Sequence, residues 1–236
     1  MTDLHTHILP GMDDGAATVA ESLTMLEKEY SQGVRTVVLT PHFYPHREEL
    51  ERFLTRREQA MNELKQAIAA RSPEQLPLPE IRVGAEVLWR SDLVELDRLN
   101  ELCIEGTRNL LLELPFTPWS RTMIDLLYDL TGCTGITPVI AHLERYISIQ
   151  PKSLVQEVLR LGVPVQISAG ILLHPLMRRA AMKLLKKGQG HLLASDCHGC
   201  EERVPDLAAG MGVVRRKLGE QTVWDLCDCA ERLVRP

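Results

Sequence analysis

Asp3-Leu4-His5-Thr6-His7 reads as a short first β-strand that delivers two imidazoles to one place. Successive side chains of a strand point to opposite faces, so His5 and His7 share a face and have the spacing to bind one ion. Taken alone the pair has a second reading, a polar strand face, and the remaining strand ends must decide between the two. The motif stands at the start of the chain, so no targeting segment is expected before it.

The chain has 236 residues, 44% of them hydrophobic, which suits one α/β barrel or two small domains. A net charge of -5 and a pI near 5.9 argue against a surface that coats polyanions, so nucleic acid is not an expected partner. No apolar run approaches the roughly 20 residues of a membrane span, and the cytoplasm is the expected compartment. Cys103, Cys133, Cys197, Cys200, Cys227 and Cys229 are then expected as free thiols. Cys197-His198-Gly199-Cys200 has the C-x-x-C form but no second such pair, and Cys227-Asp228-Cys229 is a weak complement for a structural zinc.

Short β-branched runs alternate with longer helical patterns, which favours a parallel α/β architecture. Candidate strands are 3–7, 36–40, 81–87, 109–114, 137–141, 164–168 and 192–195. Candidate helices are 17–32, 48–70, 92–101, 121–131, 152–161, 175–187 and 206–218. Gly33, Gly135, Gly162 and Gly190 stand where helices would end. Residues 72–79, with three prolines, form a loop too short for a domain linker, so a single domain over 1–236 is expected. A closed or nearly closed parallel barrel with helices outside fits best, and a doubly wound open sheet comes second.

Metal-competent residues recur at the C-terminal ends of these strands, where a barrel's loops converge on one mouth. They are His5 and His7, then His42, Glu86, Glu113, His142, Asp196 and His198. One such residue is usually a solvated strand end; eight on one face make a cluster. His46, His174 and His191 fall outside it and read as surface or loop residues. Imidazole mixed with carboxylate suits manganese, iron or zinc. Asp13-Asp14-Gly15 offers another carboxylate, or else a turn and a helix N-cap. The surplus of ligands over one ion implies two or three metals, which activate water and clamp the oxygens of an in-line displacement. Arg145 and Arg203 lie beside the ligands and suit bidentate contact with a phosphate. No Lys ends a strand, so a bridging carbamylated lysine is not expected and phosphoester hydrolysis is favoured. Phe43, Tyr44, Trp89, Phe116, Trp119 and Tyr146 closely follow the ligands, either as rings around the mouth or as core plugs.

The run from Asp3 to Gly15 resembles the opening of the PHP (polymerase and histidinol phosphatase) superfamily. More narrowly, it is similar to the CpsB/CapC-type bacterial protein-tyrosine phosphatases of capsule and exopolysaccharide synthesis. Thr40-Pro41-His42, Gly84-Ala85-Glu86, Leu112-Glu113-Leu114-Pro115, Ala141-His142-Leu143-Glu144-Arg145-Tyr146, Gln166-Ile167-Ser168-Ala169-Gly170 and Ala194-Ser195-Asp196-Cys197-His198-Gly199 match in order. The resemblance implies a PHP-type distorted (β/α)7 barrel, TIM-barrel-like, with a trinuclear site that is usually manganese-dependent. It implies His5, His7, Glu86 and Asp196 on a first ion, Glu86, Glu113 and His142 on a second, and His42, His198 and Asp14 on a third. Arg145 and Arg203 match the family's phosphate-binding arginines. Leu143, Ser168 and Cys197 depart from common family residues without removing a ligand.

The expected activity is therefore hydrolysis of phosphotyrosine monoesters, with Arg145 and Arg203 stabilising phosphoryl charge. The resemblance implies the Tyr-rich tail of a bacterial tyrosine kinase as substrate. Cys197 and Cys200 are not expected to act as nucleophiles, since neither is read as heading a Cys-x5-Arg phosphate loop. The alternatives are a PHP phosphoesterase acting on histidinol phosphate or a nucleotide, and a non-catalytic docking scaffold.

Overall fold

The computed structural model describes residues 1–236. Nine short strands carry the framework: β1 Thr2–Thr6, β2 Thr36–Leu39, β3 His42–Phe43, β4 Glu80–Val83, β5 Glu86–Leu88, β6 Asn109–Glu113, β7 Thr137–Ile140, β8 Gln166–Ser168 and β9 Leu192–Ala194. Every pairing is parallel, in the orders β1-β2-β4, β3-β5-β6-β7 and β8-β9. The C-terminal ends of all strands therefore lie at one end of the molecule. Single parallel bridges, Thr6 to Cys197 and Ile140 to Val165, stand where one sheet leaves off and another begins.

The expected strand over 81–87 is broken into β4 and β5, and a short further strand, β3, follows the expected strand over 36–40; these two interruptions decide the geometry of the mouth. Pro41 lacks an amide hydrogen and interrupts the run from β2 to β3. The Thr40 hydroxyl oxygen there accepts the Thr6 amide at 3.1 Å. Alongside it, Gly84 and Ala85 interrupt the run from β4 to β5, with the Gly84 amide on Leu39 O at 2.9 Å. Because both runs break at the same height, the register resumes with His42 directly opposite Glu86.

Seven α-helices pack around the strands: α1 Val19–Ser31, α2 Leu50–Ala69, α3 Arg121–Cys133, α4 Lys152–Arg160, α5 Arg179–Lys186, α6 Leu207–Leu218 and α7 Glu220–Leu233. A core of 50 buried residues lines the contacts. The expected helix over 92–101 is instead two 3-10 turns, Leu93–Glu95 and Leu99–Leu102, separated by Arg98 in the left-handed region. α5 starts at Arg179, not at Pro175, because the residues before it form an exposed loop. The left-handed glycine after α5 is Gly188, not Gly190. Gly190 is needed for close approach instead, since a Cβ there would sit 2.9 Å from Ile167 Cγ1.

The helix α7 was not expected from periodicity. A smaller cluster of 10 buried residues joins its Ala230 and Leu233, with Val234, to Leu4, Val38, Leu111, Val139 and Leu192 of five strands. Asn109 Nδ2, at the start of β6, donates to Leu233 O at 2.7 Å. The C-terminus of α7 thus covers the end of the strands opposite the histidines. α6 packs closely on the turn after β8 through Gly210, where a Cβ would lie 2.7 Å from Ala169 Cβ and 3.0 Å from its backbone. Backbone cannot yield as a flexible side chain does, so Gly210→Val is expected to cost about 2 kcal/mol, read as a lowered urea midpoint.

Candidate metal centre

His5 and His7 project from the end of β1 and are fully buried. Each ring is oriented through Nδ1: His5 toward Gln166 Oε1 at 3.3 Å, and His7 toward Asp13 Oδ2 at 2.7 Å. With Nδ1 engaged there, the two Nε2 atoms face one another across 3.1 Å. The loop after His7 is pinned closely: a Cβ on Gly15 would lie 2.0 Å from His7 O, and only glycine passes there. Asp13 also accepts the amides of His42 at 2.8 Å and Gly15 at 3.0 Å, so one carboxylate orders β1, the loop and β3 together. The N-cap of α1 is Thr18, whose hydroxyl accepts the Glu21 amide, so the capping alternative for Asp13-Asp14 does not hold. Asp14 is exposed, with Oδ1 3.6 Å from His42 Nε2 and 3.4 Å from His198 Nε2.

Glu86 is the hub. Its Oε2 lies 3.1 Å from His5 Nε2, 3.3 Å from His7 Nε2 and 3.0 Å from His42 Nδ1, while Oε1 lies 2.9 Å from His142 Nε2. Asp196 Oδ1 approaches His5 at 3.3 Å and His7 at 3.5 Å. Glu113 Oε1 is 3.9 Å from His142 Nε2. Three overlapping groups have ligand atoms within 4.8 Å of one another: His5, His7, Glu86 and Asp196; His7, Asp14, His42 and His198; and His42, Glu86 and Glu113. The geometry thus places His42 between two groups, whereas the resemblance assigned it to one. All nine candidate ligands come together at one end of the strands.

The donor set fits metal ions on its own chemistry. His42 Nδ1, Glu86 Oε2 and His198 Nε2 are buried and, although they lie 3.0–3.4 Å from imidazole or carboxylate neighbours, make no well-directed hydrogen bond, an arrangement that a bound cation would satisfy. Burial, with Glu86 opposing it, lowers His142 to about 4. Burial, His7 and Arg203 lower His198 to about 3, so both rings are neutral at pH 7 and keep a lone pair. Burial disfavours the charged forms of His5 and His7, but neighbouring carboxylates outweigh it and raise both. Burial would likewise raise Glu86, yet His5, His142 and His42 hold it well below the carboxylate range. Burial and the Glu86 charge push Glu113 up to about 7. This is the mutual tuning of a site built to hold positive charge.

Arg145 and Arg203 reach Asp196 from two sides: Arg145 Nη2 donates to Oδ2, and Arg203 Nη2 donates to Oδ1 at 2.8 Å. Both guanidiniums keep part of their surface open to the mouth. His142, Asp196 and Arg203 have φ of 30, 56 and 45 degrees, the left-handed region that side chains usually avoid. Strain of this kind persists where surrounding structure holds it, commonly at functional sites.

The aromatics divide between the two readings. Phe43, Trp89, Trp119 and Tyr146 are core plugs, with the Tyr146 hydroxyl donating to Leu114 O at 2.6 Å. Tyr44 stacks on His42 at 4.9 Å, and Phe116, 55% exposed, lies 5.0 Å from Tyr146, so these two rings border the mouth. His46 and His174 are exposed, and His191 Nδ1 accepts the Val165 amide, all apart from the cluster.

Spacing does not exclude cysteine chemistry, because five residues separate Cys197 from Arg203, the interval of a cysteine-phosphatase loop. Burial does exclude it. Cys197 is fully buried with Sγ 3.8 Å from Glu29 Oε1, and burial, Glu29 and Asp3 push the thiol well up, the reverse of what a thiolate nucleophile needs. All six cysteines are free. Sequence reasoning missed Gln166 and the orienting role of Asp13; the i, i+6 spacing from His7 was the one available signal for Asp13.

Nine metal-competent groups with two arginines at the mouth of a parallel α/β fold define a candidate multinuclear metallohydrolase. The chain belongs to the CpsB/CapC family of capsular polysaccharide synthesis, whose model matches residues 1–235. It is 33% identical to the tyrosine-protein phosphatase YwqE of Bacillus subtilis over 100% of this chain and 92% of that protein. It is 30% identical to the tyrosine-protein phosphatase CpsB of Streptococcus agalactiae, over 94% of this chain and 92% of that protein. Among solved structures, one from work on B. subtilis YwqE and Streptococcus pneumoniae CpsB, metal-dependent tyrosine phosphatases, superposes with a TM-score of 0.84 at 30% identity. That match covers 100% of this chain and 94% of the other. The phosphotriesterase homology protein of Escherichia coli shares the fold alone, at a TM-score of 0.54 and 12% identity over 99% of this chain and 98% of the other.

Asp13→Ala is expected to weaken divalent-cation binding about 10- to 100-fold, read by calorimetry, because it frees the His7 ring. A second expectation concerns Asp206, pushed up to about 7 from 3.8 by burial and by Asp3 and Asp196. Its carboxyl binds a proton more tightly folded than unfolded, so stability falls as pH rises between those values and levels off above. In metal-free protein, Asp206→Asn should flatten that decline and raise the urea midpoint at neutral pH; an unchanged slope would refute the assignment.

Proposed function

We propose that this protein is a metal-dependent protein-tyrosine phosphatase of capsule or exopolysaccharide synthesis, acting on the phosphorylated tail of a bacterial tyrosine kinase. The observation that carries the reading is a buried, mutually orienting His/Glu/Asp cluster bracketed by Arg145 and Arg203. Relatives named tyrosine-protein phosphatases at 30% and 33% identity support it over nearly the whole chain. His5, His7, Asp14, His42, Glu86, Glu113, His142, Asp196 and His198 would hold three ions, manganese by the family resemblance, with iron or zinc equally compatible with imidazole mixed with carboxylate. The seven strand positions form one closed barrel in a single domain over residues 1–236. The parallel bridges at both sheet boundaries and the shared cluster under five strands support that closure. Six unpaired thiols suit a reducing cytoplasm, and no helix is long and apolar enough to cross a membrane.

When bound, the ions supply Lewis acidity that offsets phosphoryl charge and makes water nucleophilic near neutral pH. The chain's own part is to hold and orient. Asp13 and Gln166 fix the His7 and His5 tautomers, so that neither ring turns during turnover. Arg145 and Arg203 rotate from Asp196 to the phosphoryl oxygens, where their forks match a tetrahedral oxyanion. Tyr44 and Phe116 border the leaving aryl ring and favour tyrosine over aliphatic phosphates.

After manganese loading, turnover is expected on a phosphotyrosine peptide in preference to histidinol phosphate or a nucleotide; the opposite order would assign a different phosphoesterase. His5→Ala and Arg145→Ala should each abolish most turnover, whereas Cys197→Ser with Cys200→Ser should retain it. Phe116→Ala should lower kcat/KM for phosphotyrosine roughly three- to tenfold while sparing a non-aromatic phosphate. Phosphopeptide binding with no phosphate release from metal-loaded protein would instead indicate a docking scaffold.

A further inference from the structure

The net charge of -5 is unevenly distributed. No Asp or Glu occurs between Glu157 and Asp196, while Arg160, Arg178, Arg179, Lys183, Lys186 and Lys187 all fall in that interval. Of these, only Arg160 pairs with a carboxylate, Glu157 at 2.5 Å. α5 buries Ala181, Leu184 and Leu185 against the core and turns Arg179, Lys183 and Lys186 outward. Between α4 and α5 a cleft of about 270 Å³ has an apolar floor including Val155, Leu159 and Leu184, with Lys152, Lys183 and Lys187 around it.

The loop that precedes α5 adds a second, independent feature. Leu173, His174, Pro175, Leu176 and Met177 are consecutive and all exposed. Leu176 is 89% exposed and Met177 62%, the two largest values among the exposed large hydrophobics of the chain. Two apolar side chains held in water at the tip of a loop, followed at once by unpaired cations, have the composition of a segment that enters a lipid interface. An acidic protein partner would use the cations but has no need of the projecting Leu-Met pair.

We infer that the 173–187 segment is a peripheral docking surface for an anionic lipid bilayer, with Leu176 and Met177 inserted at the acyl boundary and α5 lying on the headgroups. The loop leaves the C-terminal end of β8, the end of the strands at which the histidines gather. Docking therefore sets the rim of the mouth beside the lipid surface, within reach of a substrate segment close to a membrane. The inference does not rest on the phosphatase reading, since it concerns a surface whose binding is measured without turnover.

The test is co-sedimentation of the full chain with vesicles of phosphatidylglycerol and phosphatidylcholine, against vesicles of phosphatidylcholine alone. Binding is expected only to the anionic vesicles and should fall with added salt. Arg179→Gln and Lys183→Gln should each weaken it about fivefold. The double variant Leu176→Asp, Met177→Asp should abolish it with the thermal midpoint unchanged. Failure to sediment with anionic vesicles at low salt would overturn the inference, as would full binding by that double variant. Binding to soluble polyglutamate that competes with vesicles and ignores the Leu176 and Met177 substitutions would also overturn it, and would assign the patch to an acidic protein.

Discussion

Glu86 is a carboxylate with no access to water that faces four imidazoles, from His5, His7, His42 and His142. An isolated charge in such a position is strongly disfavoured, and it persists only where positive charge compensates it. The neighbouring groups answer that need. His5 and His7 shift upward, Glu86 and Asp196 shift downward, and Arg145 and Arg203 close on Asp196 from the open side. Metal ions held by these donors would share that neutralising role. The same electrostatic demand thus links the buried donor cluster to the two arginines at its open side.

The backbone meets this demand by breaking its strands. A continuous β2 or β4 would keep alternating through the mouth, and His42 would have no fixed height relative to Glu86. Pro41 and Gly84 stop both strands at one level, and pairing resumes with His42 opposite Glu86. Asp13 then ties β1 to β3 through His7 and the His42 amide. At the opposite end α7 covers the strands with aliphatic side chains, so a polar mouth and an apolar floor share one set of strands. The left-handed backbone at His142 and Asp196 turns two ligands back over the mouth where the chain would otherwise run on into its loop.

Much of this was legible in residue order. Histidine and carboxylate at the ends of β-branched runs pointed to one mouth, and the motif order pointed to the family. The unread parts share a cause: they depend on distant partners. The 92–101 segment has helical composition, but Arg98 turns left-handed and splits it into 3-10 turns. α7 lacked a clear start signal, because its preceding Gly219 also ends α6. Gln166 has no local mark of its role, which exists only because its side chain reaches from β8 to His5 of β1 and to the His142 amide after β7. Cys197 was rightly not expected as a nucleophile, but burial and not its spacing from Arg203 is the reason.

By itself the sequence determined which atoms are available: nine candidate ligands, two arginines, a basic stretch without acids, and a parallel alternation of strands and helices. Those are properties of composition and short-range periodicity, which the chain carries in any conformation. Tertiary structure alone decided which ligands share an ion site, which rings border the mouth and which plug the core, and that the Cys197 thiol faces Glu29. These depend on register and burial, and burial in a low-dielectric interior sets the charge state of each group. The opening His5-Thr6-His7 illustrates the division: its two-residue period fixes a shared face, and only the fold brings Glu86 and Asp196 to that face.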